Sequence, residues 1–200
     1  MVAEALEPLN IAGNRELILG GQKSGKSRRA EQIAAAWLAA DAQHCAVLVA
    51  TAQAHDEEMR QRIARHRSDR ARRVPLLRTV EEPLALGAAV SQHSAPQTLV
   101  VVDCLTLWLT NRMMPVDGGA PPAGAASATP EDLLLAAIRN ASGPLVLVSN
   151  EIGLGVIPMG AEVRAFVDSL GLLNQQVAAA CDRVTLMAAG LPLSLKGEPR

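Results

Sequence analysis

Between Gly20 and Ser27 the chain reads Gly-Gly-Gln-Lys-Ser-Gly-Lys-Ser, which fits the spacing G-x-x-x-x-G-K-[ST]. Those residue types at that spacing handle phosphate. Gly20 and Gly25 reach backbone angles closed to other residues, so a loop running through Gly21, Gln22, Lys23 and Ser24 can turn its N–H groups inward around an anion. Lys26 can reach β- and γ-phosphates, and Ser27 can hold Mg²⁺. The alternative is a glycine-rich turn before an ordinary helix. The flanks favour phosphate. Leu17-Ile18-Leu19 enters like a short buried strand, and Ala30, Ile33, Ala34 and Trp37 continue at helical spacing. Strand, glycine-rich loop and helix in that order are the setting of a nucleotide-binding loop, with the helix offering unpaired N–H groups to the same anion.

A nucleotide loop needs an acidic partner for its metal. Thr98–Asp103 is an apolar strand ending in a carboxylate, which makes Asp103 the candidate to hold Mg²⁺ directly or through water. The same residue also suits the N-cap of a helix starting near Leu105. Thr106 and Asn111 follow, and their spacing assigns them no role. A second strand, Pro144–Asn150, ends in Ser149-Asn150-Glu151 and turns through Gly153 and Gly155. It is either a solvated exit or a substrate or metal contact. Glu81 is a candidate for the nucleotide set, and Glu81 and Glu151 are both candidates for a general base.

Sixteen arginines and three lysines supply the basic residues, and eight of those arginines fall between Arg60 and Arg78. The cluster is either a solvated face balanced by Asp56, Glu57 and Glu58 or a second polyphosphate site, since guanidinium forks suit phosphate oxygens. His66 lies within it. With Asp56 as a cap, Met59, Ile63 and His66 share one helical face, which is expected to point inward. Imidazole there can attack phosphorus and form a phosphoramidate. His44, His55 and His93 have no comparable surroundings.

These groups need a scaffold. Apolar runs at Leu17–Gly20, Ala46–Thr51, Thr98–Asp103, Pro144–Asn150 and Val184–Ala188 read as strands. Helical patterns lie at about Lys26–Ala40, Asp56–Arg67, Glu82–Gln92, Leu105–Met113, Pro130–Asn140 and Gly160–Ala180. That alternation predicts an α/β fold with a mostly parallel sheet, whose ligands collect at the carboxyl ends of the strands. Each group named above falls at or after such an end. Residues 1–200 read as a single nucleotide-binding domain, and Pro115–Pro130, rich in Pro, Gly, Ala and Ser, reads as a mobile loop, a lid or a tolerated insertion.

Composition removes whole classes. With 49% hydrophobic residues the chain can build a sizeable core, and a net charge of −1 argues against a nucleic-acid coat. Trp37, Trp108 and Phe166 are the only aromatics of their kind, too few for a single-strand stacking platform. Cys45, Cys104 and Cys181 show neither metal-ligand spacing nor a disulfide framework, which points to a reducing cytoplasm. Residues 1–14 lack the pattern of a signal peptide, and no apolar run approaches a membrane span.

Taken together, LILGGQKSGKSRRAE, VATAQAHDEEMRQRIARH, LRTVEEP, VVVDCLTLWLTN, LVSNEIGLGVIP, FVDSLGLLNQ and AAGLPLSLK resemble the bifunctional adenosylcobinamide kinase / adenosylcobinamide-phosphate guanylyltransferase family of cobalamin biosynthesis. The phosphate loop alone is generic, whereas ATA-x₄-EM-x₃-RI-x₂-H followed by SNEIGLGVIP is specific. The resemblance implies a RecA-like P-loop fold and two activities. One phosphorylates adenosylcobinamide with ATP or GTP. The other transfers GMP from GTP to the resulting phosphate through a guanylyl-histidine, whose position His66 matches. It also implies a homo-oligomer, a trimer, with sites near subunit boundaries. Two departures stand out. Arg65-His66 replaces the paired histidines of some members, and Phe166-Val167-Asp168 lacks an arginine often found at the middle position.

Two other readings use fewer of these residues. A simple small-molecule kinase leaves His66 without chemistry. A nucleic-acid-handling ATPase uses the arginines as a contact surface and predicts steeply salt-dependent binding.

Overall fold

The computed structural model describes residues 15–115 and 128–198. The expected loop at Pro115–Pro130 lies, but for its ends, outside the described residues. In chain order the elements are β1 (Arg15–Gly20), α1 (Lys26–Ala40), β2 (Cys45–Ala50), α2 (Glu57–Arg73), β3 (Arg78–Glu81), α3 (Leu86–His93) and β4 (Thr98–Asp103). There follow α4 (Leu105–Met113), α5 (Pro130–Arg139), β5 (Leu145–Val148), α6 (Ala161–Ala180), β6 (Arg183–Ala188) and β7 (Leu191–Lys196). They build one seven-stranded sheet in the order β3-β2-β4-β5-β1-β6-β7, parallel except for β7.

The central strands are apolar on both faces because both are covered. Leu17, Val100, Val102, Leu145 and Leu147 pack beneath α3–α6, together with the buried Trp108 and Leu170. Ile18, Leu99, Val101, Val146 and Val148 pack beneath α1 around Ile33 and Trp37. Alternate residues of each strand thus enter opposite layers, as the pleat demands. Each fully buried Leu or Ile contributes about 1.5–3 kcal/mol, so these two layers carry most of the stabilisation.

Two strands had no apolar run to announce them. β3 is an edge strand whose residues are mostly exposed. β7 carries Leu191, Leu193 and Leu195 at alternate positions, but Pro192 interrupts the run, which suits only an edge. Helix α3 starts later than its apolar pattern, because the Glu82 side chain accepts from the Leu84 and Ala85 N–H groups at 2.9 and 2.7 Å. Pro83 also biases the residue before it away from helical angles.

Parallel strands bring their carboxyl ends to one side of the sheet. The register aligns Ala50 with Asp103, Asp103 with Val148, and Val148 with Ile18. Asp103 therefore lies two strands across from β1, about 10 Å, and level with a residue just before the phosphate loop.

Candidate active site

The loop between β1 and α1 has the backbone that phosphate binding requires. Gly20, Lys23 and Gly25 all have positive φ, at 149°, 58° and 103°. A Cβ on Gly20 would lie 2.5 Å from the Met187 carbonyl oxygen, so a side chain is excluded there. Gly25 is the N-cap of α1, no side chain caps that helix, and its first turn holds no acid. By contrast, α2 is capped by Asp56, which accepts from Met59 N–H at 2.6 Å. The open end of α1 leaves its N–H groups and positive dipole end to a bound anion. Gly21, Gln22 and Lys23 are exposed at the loop tip, Ser24 is buried and Ser27 half-buried.

The hairpin between β6 and β7 braces this loop. Ala189 and Gly190 have φ of 52° and 83°, the pair of positive angles that suits a tight hairpin. Gly190 N–H donates to the Ser24 carbonyl at 3.0 Å.

Lys26 is only 8% exposed, and its ammonium donates to the Gly21 carbonyl at 2.6 Å. Burial lowers its pKa; Cys104 and Asp103 oppose the shift, and Arg62 adds to it. Arg70 is buried on α2 and donates to Thr79 Oγ1 at 3.2 Å. Its pKa is also lowered by burial, with Asp103 and Glu31 opposing. Arg62, His66 and Arg70 stand four residues apart and share one face of α2. The charge at one end of this face acts on Lys26, and the charge at the other end interacts with Asp103. His66 sits between them.

His66 is exposed, however, and so corrects the expectation of an inward-facing histidine. Met59 and Ile63 are the only large apolar side chains of α2 and are only half-buried. The helix is anchored at its C-terminal end, by Arg70 and by an ion pair of Arg73 with buried Glu31 at 2.8 Å. The arginines of α2 are partly internally paired, Arg60 with Glu57 and Arg72 with Asp69. Arg67 pairs with Glu81, and together with Arg70 they line a cavity of about 280 Å³.

Asp103 ends β4 half-buried. Its proposed capping role is corrected: the N-cap of α4 is Cys104, and no side chain caps that helix. The Cys104 thiol is pushed up to about 12 by burial, with Asp103 adding to the rise. Burial likewise pushes Cys181 up to about 12. Cys45 is exposed. A native thiol titration is therefore expected to show one fast-reacting group, and denaturant to release all three.

Four polar residues, among them Thr106 and Asn111, to which sequence spacing assigned no role, tie these strand ends together. Thr51 Oγ1 donates to the Cys104 carbonyl at 2.7 Å and accepts from Cys104 N–H at 2.9 Å. Thr106 Oγ1 accepts from Asn150 N–H at 2.8 Å. Asn111 Nδ2 donates to the carbonyls of Thr51 at 2.8 Å and Pro83 at 3.2 Å. Asn174 Nδ2 donates to the Asn150 carbonyl at 3.0 Å. The only signal in the sequence is a polar residue set in an apolar stretch, at the end of a strand for Thr51 and within a helix for Thr106, Asn111 and Asn174. Asn111→Ala leaves two carbonyls short of a donor and is expected to cost about 2–3 kcal/mol, a fall in Tm on the order of 6 °C. Thermal unfolding without nucleotide checks this.

Comparison with known proteins bears on what the arrangement serves. The fold is similar to the flagellar accessory protein FlaH of Methanocaldococcus jannaschii, with a TM-score of 0.53 at 13% identity, covering 92% of this chain and 79% of that one. That likeness concerns architecture alone and agrees with the expected RecA-like P-loop fold. In sequence, the chain is 48% identical to the bifunctional adenosylcobalamin biosynthesis protein CobP of Pseudomonas aeruginosa, over 92% of this chain and 99% of that protein. It is 33% identical to the bifunctional adenosylcobalamin biosynthesis protein CobU of Salmonella typhimurium, over 90% of this chain and 98% of that protein. Residues 16–195, from β1 through β7, match one family along their whole length, and the chain belongs to it: cobinamide kinase / cobinamide phosphate guanyltransferase.

Proposed function

We propose that this chain, as a single nucleotide-binding domain, carries out both reactions of its family. It phosphorylates adenosylcobinamide with ATP or GTP, then transfers GMP from GTP to the new phosphate. The observation that carries the reading is the α2 face on which exposed His66 stands one turn from Arg62, whose charge acts on Lys26, and one turn from Arg70, whose charge interacts with Asp103. A phosphate loop by itself supports only a kinase.

In the kinase step the acceptor hydroxyl attacks the γ-phosphorus in line, the bond to the β-bridging oxygen breaks, and the nucleoside diphosphate leaves. Lys26 and the N–H groups of the loop and of α1 stabilise the charge that builds on the transferred group. Of the two candidate bases, Glu151 adjoins the loop, since its N–H donates to the Gly20 carbonyl at 3.2 Å. Glu81, held by Arg67 at the α2–β3 cavity, is assigned to the nucleotide. In the transferase step a His66 ring nitrogen attacks the α-phosphorus and pyrophosphate leaves. An oxygen of the substrate phosphate then attacks the same phosphorus, and the P–N bond breaks to give adenosylcobinamide-GDP.

Ser27 and Asp103 offer a hydroxyl and a carboxylate oxygen, the hard donors that Mg²⁺ takes alongside phosphate oxygens. When bound, the ion would neutralise charge on the transferred phosphate. The assembly we propose is a homotrimer in the cytoplasm; among the described residues no helix is long and apolar enough to cross a membrane.

The test supplies purified protein with adenosylcobinamide, Mg²⁺ and first ATP, then GTP, and separates the corrinoids by chromatography. The reading expects a phosphorylated corrinoid with ATP alone, then a GDP-linked product and pyrophosphate after GTP. A protein that binds nucleotide but leaves the corrinoid unchanged would overturn it.

A further inference from the structure

On the α6 face of the sheet a groove of about 500 Å³ runs beside the phosphate loop, lined among others by Leu19, Glu151, Asn174, Gln175, Val184 and Leu195. Most of its wall is aliphatic. Glu151, Asn174, Gln175 and Lys196 are its polar members, and Asn174 differs from the other three in being buried. Asn174 is 4% exposed, and its amide orientation is set by the bond from Nδ2 to the Asn150 carbonyl. Its Oδ1 then has no hydrogen-bond partner among the described residues. A buried acceptor left in that state costs about 1–3 kcal/mol, which an incoming N–H donor would recover.

Next to the groove, the segment between Glu151 and α6 carries four large apolar side chains in the open. Leu154 is 81% exposed, Val156 96%, Ile157 76% and Met159 95%. Scattered apolar residues on a surface are ordinary; four in six residues mark a contact site. The backbone of this segment is held. Gly153 N–H donates to Glu151 Oε1 at 3.1 Å, and Arg164 donates to the carbonyls of Pro158 and Met159 at 3.0 and 2.6 Å. On the other flank, Leu191, Leu193 and Leu195 of β7 are also exposed. The bond from Glu151 N–H to the Gly20 carbonyl joins the whole region to the start of the phosphate loop.

We propose that this region is the acceptor subsite: residues 152–159 lie against the apolar face of the corrin ring, and the groove takes one of its amide arms, with Asn174 Oδ1 accepting from the amide N–H. The inference rests on the cobinamide reading above, and the chemistry selects that occupant. Cobinamide combines a broad apolar macrocycle, primary amide donors and a hydroxyl arm that must reach a terminal phosphate. The groove is too small for the whole corrinoid and suits an arm and the ring edge. A second copy of the chain would also cover apolar residues, but it offers no reason for an unpaired buried amide oxygen in the wall of this groove.

The test pairs two variants, Val156→Glu with Ile157→Glu in one protein and Asn174→Leu in another. The first changes only exposed side chains and is expected to fold. Each is expected to raise KM for cobinamide about tenfold or more while kcat at saturation stays within about twofold. Self-labelling by α-labelled GTP without corrinoid, and sedimentation velocity, are expected to match the wild type. An unchanged KM in the loop variant overturns the subsite. A raised KM accompanied by altered sedimentation assigns the loop to a contact between copies and also overturns it. If the wild type labels itself with GMP but never acts on cobinamide, the substrate reading itself fails and the subsite falls with it.

Discussion

Lys26→Ala is expected to lower the rate of cobinamide phosphorylation on the order of 10³-fold, the scale of losing one preorganised charge at a transition state. Lys26 is the first residue of α1, buried behind the loop it serves, with its ammonium resting on the Gly21 carbonyl. Nothing else among the described loop residues brings a buried positive charge to the open end of α1. Because burial holds its pKa below the ordinary lysine value, kcat/KM for ATP should decline on the alkaline side at a pH lower than a solvated lysine would give. The same shift has a sign for stability. Between the lowered folded pKa and 10.5 the unfolded chain binds more protons, so the nucleotide-free protein should gain stability from this group as pH rises through that window. Lys26→Met should remove that gain. Cobinamide phosphorylation at the wild-type rate by Lys26→Ala would sink the assignment of the loop.

His66→Ala is expected to remove guanylyl transfer, by about 10⁴-fold or more, while phosphorylation stays within a few-fold of the wild type. A covalent route loses its intermediate outright when the nucleophile goes. Exposure makes the experiment clean: a surface substitution on α2 should move stability by about 0.5 kcal/mol or less, so lost activity cannot come from unfolding. Each half-reaction is assayed separately, with ATP and cobinamide for the first and with GTP and cobinamide phosphate for the second. Equal loss of both in a folded protein would count against the division of labour.

What the sequence made legible follows local physics. Helices α1 and α4 and strand β4 match their expected bounds residue for residue, because strong apolar patterns end at caps or breakers. The phosphate loop was readable because its glycines are needed by backbone geometry that no other residue supplies. The edge strands β3 and β7 were not readable, since exposed edges carry no buried run and the partner that makes them strands is remote. His66 shows the limit of periodicity: spacing gives the shared face of a helix, but burial depends on how much apolar surface the helix offers to its neighbour. Thr51, Thr106, Asn111 and Asn174 show another limit. Each bonds across 24 to 60 residues of sequence, so no window contains both partners. The Ala189–Gly190 hairpin supporting Ser24 is of the same kind.

The most direct test of the account uses GTP labelled at the α-phosphorus, with a parallel γ-labelled sample, Mg²⁺ and no cobinamide. The account predicts acid-labile, alkali-stable label on the protein from the α-position only, absent in His66→Ala. A folded, GTP-binding protein that takes up no α-label would contradict it, and would leave a P-loop kinase in which His66 has no chemistry.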